Sequence, residues 1–451
     1  GGGVKKRQLN LVPMGHDISC PYLFIPAIIP RIMTNTGDDK MTGWRAAWTW
    51  GIGAALLHRL LLTVLLGIAW SVVAVNFGGA SVDIHTANAD LPPIDSPITE
   101  AVFGVWRRWD AVHYLDLAHN GYRLDNPGAT VFNVLTPLAF LTADVLLPGS
   151  IDLAALVVET AAFALALTLL YRFVIITFPH EDGDDSLARW SVAIVALQPL
   201  SVFFAAPMSE SIYLACVVGM FYCLAIRRVP LAALCGFLAT LTRSQGALLI
   251  GVAVLYLLEQ ERFPFTQPRS WWSAARPLIR RAWTLAFIPF GLILFYAYRA
   301  GLNLPPLEQV YAASSYVFFT NPLDGLLINL RWIGTHVSQA LVNPDAWAIL
   351  VCILLLLLQI RLKRHRRWAL IAYTAGYLLV YISKVNWVWG TDELYMTQSF
   401  SRYALVLFPF SILIADGFRS TTKWGRIVGA VVLAFGVISF GALFVLALVG
   451  P

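Results

Sequence analysis

Long apolar runs separated by short polar breaks dominate the chain. A membrane-spanning helix needs about 20 apolar residues. By that measure spans are expected at 47–75, 151–177, 189–206, 211–227, 230–242, 246–259, 282–300, 346–361, 368–383, 403–416 and 427–450. The count is about eleven, in a range of about 9 to 13, since short or tilted segments blur it. Half-length or tilted helices are expected around 230–259, where the runs are short. The pattern predicts an all-α polytopic membrane protein whose extracytoplasmic loops carry short amphipathic helices. No internal repeat of the kind that marks secondary transporters is visible.

Residues 1–40 do not follow this pattern. Pro21, Pro26 and Pro30 break the one apolar stretch there, which is too short to span. Met41-Thr42-Gly43-Trp44-Arg45 reads as a natural start. Residues 1–40 are therefore expected to be a disordered tail or a wrongly assigned start, and 41–451 a single transmembrane domain. The run at 47–75 is too long for the apolar region of a cleaved signal peptide.

Composition agrees with the pattern. Hydrophobic residues make up 58% of 451 and charged residues only 13%, against about 25% charged in a soluble domain. The net charge of +6 is no nucleic-acid footprint, because the basic residues sit in short loops between apolar runs. Those loops orient the chain: Lys5-Lys6-Arg7, Arg45, Arg227-Arg228, the stretch 262–281, the stretch 361–367, and Arg419, Lys423 and Arg426 all fall on one side, which is the cytoplasm. The acidic loop His180–Asp185 falls there too, but acidic residues contribute little to orientation. The other side carries 76–150, 301–345 and 384–402, with short turns around Pro207–Glu210 and Thr242–Gly246. Four of the five cysteines lie in apolar runs and show no metal-ligand spacing.

The candidate chemistry collects on that external side. Trp109-Asp110-Ala111-Val112-His113-Tyr114, preceded by Arg107-Arg108, puts a carboxylate among arginines, a histidine and aromatics. An interfacial belt explains the aromatics and arginines but gives Asp110 and Asp116 no role. Residues 109–118 suit a short amphipathic helix, with Val112, Leu115 and Ala118 toward lipid and Asp110, His113 and Tyr114 together on the other face. Asn120-Gly121 ends it. Asp110 also suits the N-cap, a rival role compatible with catalysis. Ser209 and Glu210 suit the start of the next helix, as a cap and as a dipole partner. Arg243, among small polar residues at a helix break, suits a phosphate, or a snorkelling side chain. Lys384 and Arg402 bracket the last external loop and have an ordinary reading as flanks of spans. No Gly-rich phosphate loop, H-E-x-x-H or G-x-S-x-G occurs.

Arg108-Trp109-Asp110-Ala111-Val112-His113-Tyr114, with Ala118 and Gly121-Tyr122, resembles the first-loop signature of the GPI mannosyltransferase II (PIG-V-like) family. Ser209-Glu210-Ser211, following Pro199 and Phe203-Phe204, is similar to its second signature. Thr242–Gly246 is similar to its Arg-x-Asn-Gly turn, and Arg402-Tyr403 with Phe408-Pro409 to its last one. The resemblance runs in order from about residue 100 to 415. Two positions depart from the family: Phe132–Pro137 where it has Phe-Phe-Pro-Leu-Tyr-Pro, and Gln245 where it has Asn. Both bear on acceptor choice more than on reaction type.

The resemblance implies a GT-C-type polytopic glycosyltransferase. Such an enzyme moves mannose or a similar hexose from a polyprenyl-phosphate-sugar donor to a glycolipid or glycan acceptor, outside the cytoplasm. It implies Asp110 as the catalytic acid of the first loop, acting on the acceptor hydroxyl as general base. Arg108, His113, Tyr114, Glu210, Arg243 and Arg402 are the expected substrate-binding residues. Of these, Arg243 and Arg402 are the candidates for stabilising the leaving phosphate. Single displacement would invert the anomeric carbon. No cofactor is expected, and no ligand motif for a divalent metal is present. The expected partners are donor, acceptor and bilayer, without nucleic acid. The expected setting is a bacterial plasma membrane, or the endoplasmic reticulum of a eukaryote. The alternative is a lipid-linked saccharide transporter or flippase, which would place its ionisable residues at mid-membrane.

Overall fold

The computed structural model describes residues 37–77, 90–94, 96–179, 183–315, 317–387 and 393–445. In chain order the helices begin with α1 Gly37–Phe77, α2 Pro97–Val102, α3 Asp110–Asn120, α4 Leu135–Leu146, α5 Ile151–Thr177, α6 Ser186–Leu197, α7 Glu210–Ala225, α8 Val229–Thr242, α9 Leu249–Gln260 and α10 Trp271–Ala282. They continue with α11 Phe290–Gly301, α12 Leu307–Ser315, α13 Pro322–Thr335, α14 Val337–Val342, α15 Pro344–Arg361, α16 Trp368–Ile382, α17 Phe400–Tyr403, α18 Phe408–Ser420 and α19 Lys423–Val445. The expected tail lies outside the described residues up to 36, and α1 already begins at Gly37.

The eleven expected spans are not found as eleven full-length helices. Among the described residues five helices are long and apolar enough to cross a membrane: Gly43–Val72, Ile151–Thr177, Pro268–Gly301, Pro344–Arg361 and Lys423–Phe444. A sixth is possible if the pair Phe400–Val406 and Phe408–Ser420, bent by 77°, counts as one span. The segments at 189–206, 211–227, 230–242, 246–259 and 368–383 are instead shorter apolar helices. Their apolar runs are cut by polar or irregular turns, such as Ser201–Phe204 and Arg243–Leu248, which end the helix before it reaches bilayer length.

Helix α5 is the spine, packed on α1 and α7, while α7 packs on α8 and α6 on α18. Phe163, Phe173, Phe204, Phe221 and Phe408 fill the centre of this bundle. Local signals set the helix starts. Ser150 accepts from the Leu153 N–H to cap α5, Asn321 caps α13 ahead of Pro322, and Asn343 caps α15 ahead of Pro344.

The loops expected on the external side are not purely helical. Val317–Phe319 (β1), Lys384–Trp387 (β2) and Leu394–Tyr395 (β3) form a small antiparallel sheet in the order β1-β2-β3. Its register pairs Phe319 with Lys384 and Asn386 with Tyr395. The sheet ties two loops far apart in sequence and brings the start of β2 toward α17.

Candidate active site

Asp110 stands at the first position of α3, not at its N-cap as one reading of the sequence had it. Trp109 occupies the cap with φ 54° and no side-chain cap bond. A positive φ is unusual for an aromatic residue and is a form of backbone strain that tends to collect at functional sites. On either side of this turn the charged groups take different partners, Arg402 for Asp110 and Asp152 for Arg107. At the other end Gly121, with φ 76°, follows the last helical residue, Asn120, a backbone that glycine adopts without cost. The face expected to meet lipid does not: Val112, Leu115 and Ala118 are buried inside the protein. They pack α3 against α4 and α5.

The carboxylate of Asp110 accepts a hydrogen bond from Arg402 Nη1 at 2.6 Å, and the Asp110 side chain keeps 20% of its surface exposed. Burial pushes this carboxyl up, but Arg402, then His113 and Lys384, outweigh it and hold the group below the usual aspartate range. Arg402 also donates through Nε to Glu210. Glu210, fully buried at the start of α7, takes a second cation, Arg243 Nη2, at 2.5 Å. Asp110, Arg402, Glu210 and Arg243 thus form one continuous ion network drawn from four separate segments. Buried charges persist only when paired in this way.

Ser209 is the junction between the network and the first motif. The expectation that it caps α7 fails, since its side chain makes no cap bond. Its hydroxyl instead accepts from Tyr114 Oη at 2.9 Å and from Arg243 Nε at 2.8 Å. Tyr114 packs on Phe132 with ring centres 4.6 Å apart, and His113 stacks on the same ring at 5.7 Å. Burial pushes the Tyr114 phenol well up, so it acts as a neutral donor. The break that presents Arg243 is held from two sides. Asn133 donates to Thr240 O at 2.9 Å and accepts from Ser244 Oγ at 3.1 Å. A Cβ at Gly246 would lie 2.5 Å from Thr240 N, so only glycine lets this turn fold back on α8.

Arg402 is positioned by a residue that the sequence did not single out. The Asp345 carboxylate accepts from Ser399 N at 2.9 Å, Ser401 N at 2.8 Å and Ser401 Oγ at 2.6 Å. It thereby fastens the entry to α17, where Ser399 takes φ 60°. Each of the short helices carrying Asp110 and Arg402 is thus entered through a non-glycine residue of positive φ. Beside them Lys384 Nζ donates to Tyr403 Oη at 3.0 Å and lies 5.0 Å from the Tyr403 ring centre.

Of the expected site residues, Asp110, Tyr114, Glu210, Arg243 and Arg402 come together, and His113 adjoins them. Arg108 does not. Its Nη1 donates to the carbonyl oxygens of Arg107 and Gly104, and its guanidinium lies over Trp70. Arg107 also turns away, to a two-pronged pair with Asp152 at 2.8 and 2.7 Å. Charged groups are not confined to the loops either, as the sequence reading had them. Glu159 in α5 is fully buried, and Arg59 of α1 donates to the hydroxyl of the next residue, Thr160, at 2.8 Å. Single charges inside apolar runs were the available signal for these two. Among the described residues no group of three or more His, Cys, Asp or Glu side chains could hold a metal ion.

No protein-family profile matches the chain. Over 211 residues it is 28% identical to GPI mannosyltransferase 2 of Schizosaccharomyces pombe, covering 45% of this chain and 43% of that protein. Over 237 residues it is 27% identical to GPI alpha-1,6-mannosyltransferase 2 of Homo sapiens, covering 48% of this chain and 46% of that protein. The chain therefore matches less than half the length of these curated relatives. Together the two relatives support a PIG-V-like family assignment for this chain.

Proposed function

We propose that this chain is a membrane mannosyltransferase that takes mannose from a polyprenyl-phosphate-mannose donor and passes it to a hydroxyl of a glycolipid or glycan acceptor, on the extracytoplasmic side. The observation that carries the reading is the partly exposed Asp110 carboxylate. It keeps 20% of its surface open and is fixed by Arg402, in a chain whose relatives are named mannosyltransferases.

In this mechanism the acceptor oxygen attacks the anomeric carbon and the bond from that carbon to the phosphate oxygen breaks. The acceptor proton passes to Asp110, and polyprenyl phosphate leaves with the bonding pair. Arg402 keeps Asp110 ionised at neutral pH, so the base is always available. Its low basicity makes proton transfer late, when the attacking hydroxyl has become acidic. Arg243 and Arg402 supply a fixed positive field for the departing phosphate. Glu210 is enclosed and held by both guanidinium groups, which suits a counter-ion rather than a nucleophile. One displacement inverts the anomeric carbon. A transporter is the second reading, favoured by Glu159 and Arg59, which stand inside the spanning helices α5 and α1.

The test is transfer by the purified protein in lipid nanodiscs, with polyprenyl-phosphate-mannose as donor and a glycolipid extract as acceptor. Appearance of a mannosylated lipid with inverted anomeric configuration is expected. Donor that is never consumed, while the protein moves lipid-linked sugar between leaflets, would establish the transporter instead. The side is tested by cysteines at Asp125 and Lys363 in a cysteine-free background. An impermeant thiol reagent added outside cells should label the first and spare the second.

A further inference from the structure

Resting on the reading that the donor is a lipid monophosphate, we infer that Lys384, not Arg243 or Arg402, makes the direct contact with the donor phosphate.

The argument begins with how the cations of the cluster are used. Arg402 bridges Glu210 and Asp110. Arg243 is tied to Glu210 and Ser209. A phosphate seeking either guanidinium must compete with a carboxylate already in place, inside a buried network. Removing that carboxylate would strand its own charge. The one Arg243 nitrogen without a hydrogen-bond partner, Nη1, is enclosed by protein. Lys384 is different. It is half-buried rather than enclosed, and among the described residues it forms no salt bridge with a carboxylate. Its ammonium has three N–H donors, and the one protein bond shown for it goes to Tyr403 Oη.

Charge points the same way. Asp110 and Glu210 carry two negative charges, and Arg243, Arg402 and Lys384 carry three positive ones. Among these five groups one positive charge is uncompensated, and a lipid phosphodiester brings one negative charge. Among the five groups Lys384 holds that excess, since the other four already cancel in pairs. Its present neighbours are weak ones: the Tyr403 ring at 5.0 Å and the Tyr311 ring at 5.8 Å. Such contacts are worth less than a charge-assisted hydrogen bond to phosphate and can be given up on binding.

The position is right for the reaction as well. Lys384 bonds Tyr403, the residue after Arg402, and Arg402 in turn holds the Asp110 carboxylate at 2.6 Å. A phosphate on Lys384 is therefore near the base that serves the adjacent anomeric carbon. The lysine is held by the sheet. Phe319 pairs with it across β1, and Thr320 N donates to the Ser383 carbonyl at 2.9 Å. Tyr403, which receives its hydrogen bond, stacks on Tyr381 with ring centres 4.0 Å apart. The ammonium thus stands on a rigid aromatic floor.

The test compares binding of undecaprenyl phosphate with that of undecaprenol to the full-length protein in nanodiscs. The two share a chain and differ in the phosphate. Wild type should prefer the phosphate, and Lys384→Met, which keeps the apolar stem, should lose about 10- to 100-fold of that preference. Lys384→Arg should keep part of it. Unchanged Tm shows that Lys384→Met is folded, and if its Tm falls, Lys384→Gln replaces it. A full preference in folded Lys384→Met overturns the assignment while leaving the donor reading intact. Equal binding of phosphate and alcohol by wild type overturns the donor reading, and this inference with it. Phosphatidic acid or inorganic phosphate competing as well as undecaprenyl phosphate marks a general anion site and also overturns the assignment.

Discussion

Asp110 and Asp116 lie less than two turns apart on the same short helix, yet their surroundings are opposite. Asp116 is 1% exposed and saturated by near neighbours in the chain. Asn120 and Asn126 donate to it at 2.7 and 2.8 Å, and Arg123 at 3.2 Å. Asp110 keeps an open side and has as its cationic partner Arg402, from the far end of the sequence. The first carboxylate closes a local loop, and nothing from outside can approach it. The second is fixed by distant segments and still free to meet a ligand. A buried acid with local donors organises its own stretch of backbone, whereas an acid that is incompletely covered and oriented from afar is placed for chemistry.

Several measurements would break or sharpen this contrast. The largest effect is expected from Asp110→Asn, which should lose about 10²–10⁴-fold in turnover while Tm and donor binding stay near wild type. A near-full rate would remove the base from this position, with Glu210 the next carboxylate to examine. Glu210→Gln should come second. It leaves Arg243 and Arg402 without their shared counter-charge, at a cost of about 3–5 kcal/mol in stability, read as a lower Tm together with lost activity. Arg243→Lys should recover only part of what Arg243→Ala loses, because one ammonium cannot reproduce the fork that reaches both Ser209 and Glu210.

Asp116→Asn should give the mirror image of Asp110→Asn. An amide there turns a donor toward the Asn120 and Asn126 donors, costing about 1–3 kcal/mol. The protein that remains folded should keep its kcat. Lost kcat with unchanged Tm would move the catalytic assignment to Asp116 and invert the contrast. A smaller effect should appear in the pH profile. Arg402 favours the ionised form of Asp110, so Arg402→Gln should raise its pKa. The acidic limb of kcat/KM should then move to higher pH. A limb that stays in place would mean that Asp110 does not set it. The smallest expected effect is that of chelation. If Arg243, Arg402 and Lys384 carry the phosphate charge, EDTA should leave the rate unchanged. A loss that added magnesium restores would show a metal sharing that load.

How far the site can be read from sequence depends on the range of each interaction. The amphipathic helix after Trp109, its end at Asn120-Gly121 and the break at Arg243 rest on neighbouring residues, and all three are where local preference puts them. The orientation of the arginines is another matter. Arg107-Arg108 beside Asp110 reads as a cationic partner for it, but both turn to other groups, Asp152 and the backbone carbonyls of their own segment. Lys384 reads equally as the flank of a span, and Asp345 is not singled out at all. Their roles emerge only where the β1-β2 pairing and the entry to α17 bring them beside Tyr403 and Arg402. Glu159 and Arg59 are visible as charges inside apolar runs, yet nothing local says what encloses them.

By itself the sequence determined that this is a mostly helical membrane protein, with polar breaks that carry its chemistry in a fixed order. Apolar run length, helix-breaking residues and charge placement act over a few turns and depend on no distant partner. Only the tertiary structure decided which carboxylate stays open. It also decided which cations are consumed in ion pairs and which one is left over. Removing a charge from water makes a partner obligatory without naming it. The choice is made when the bundle closes and segments such as those of Asp110 and Arg402 are desolvated together.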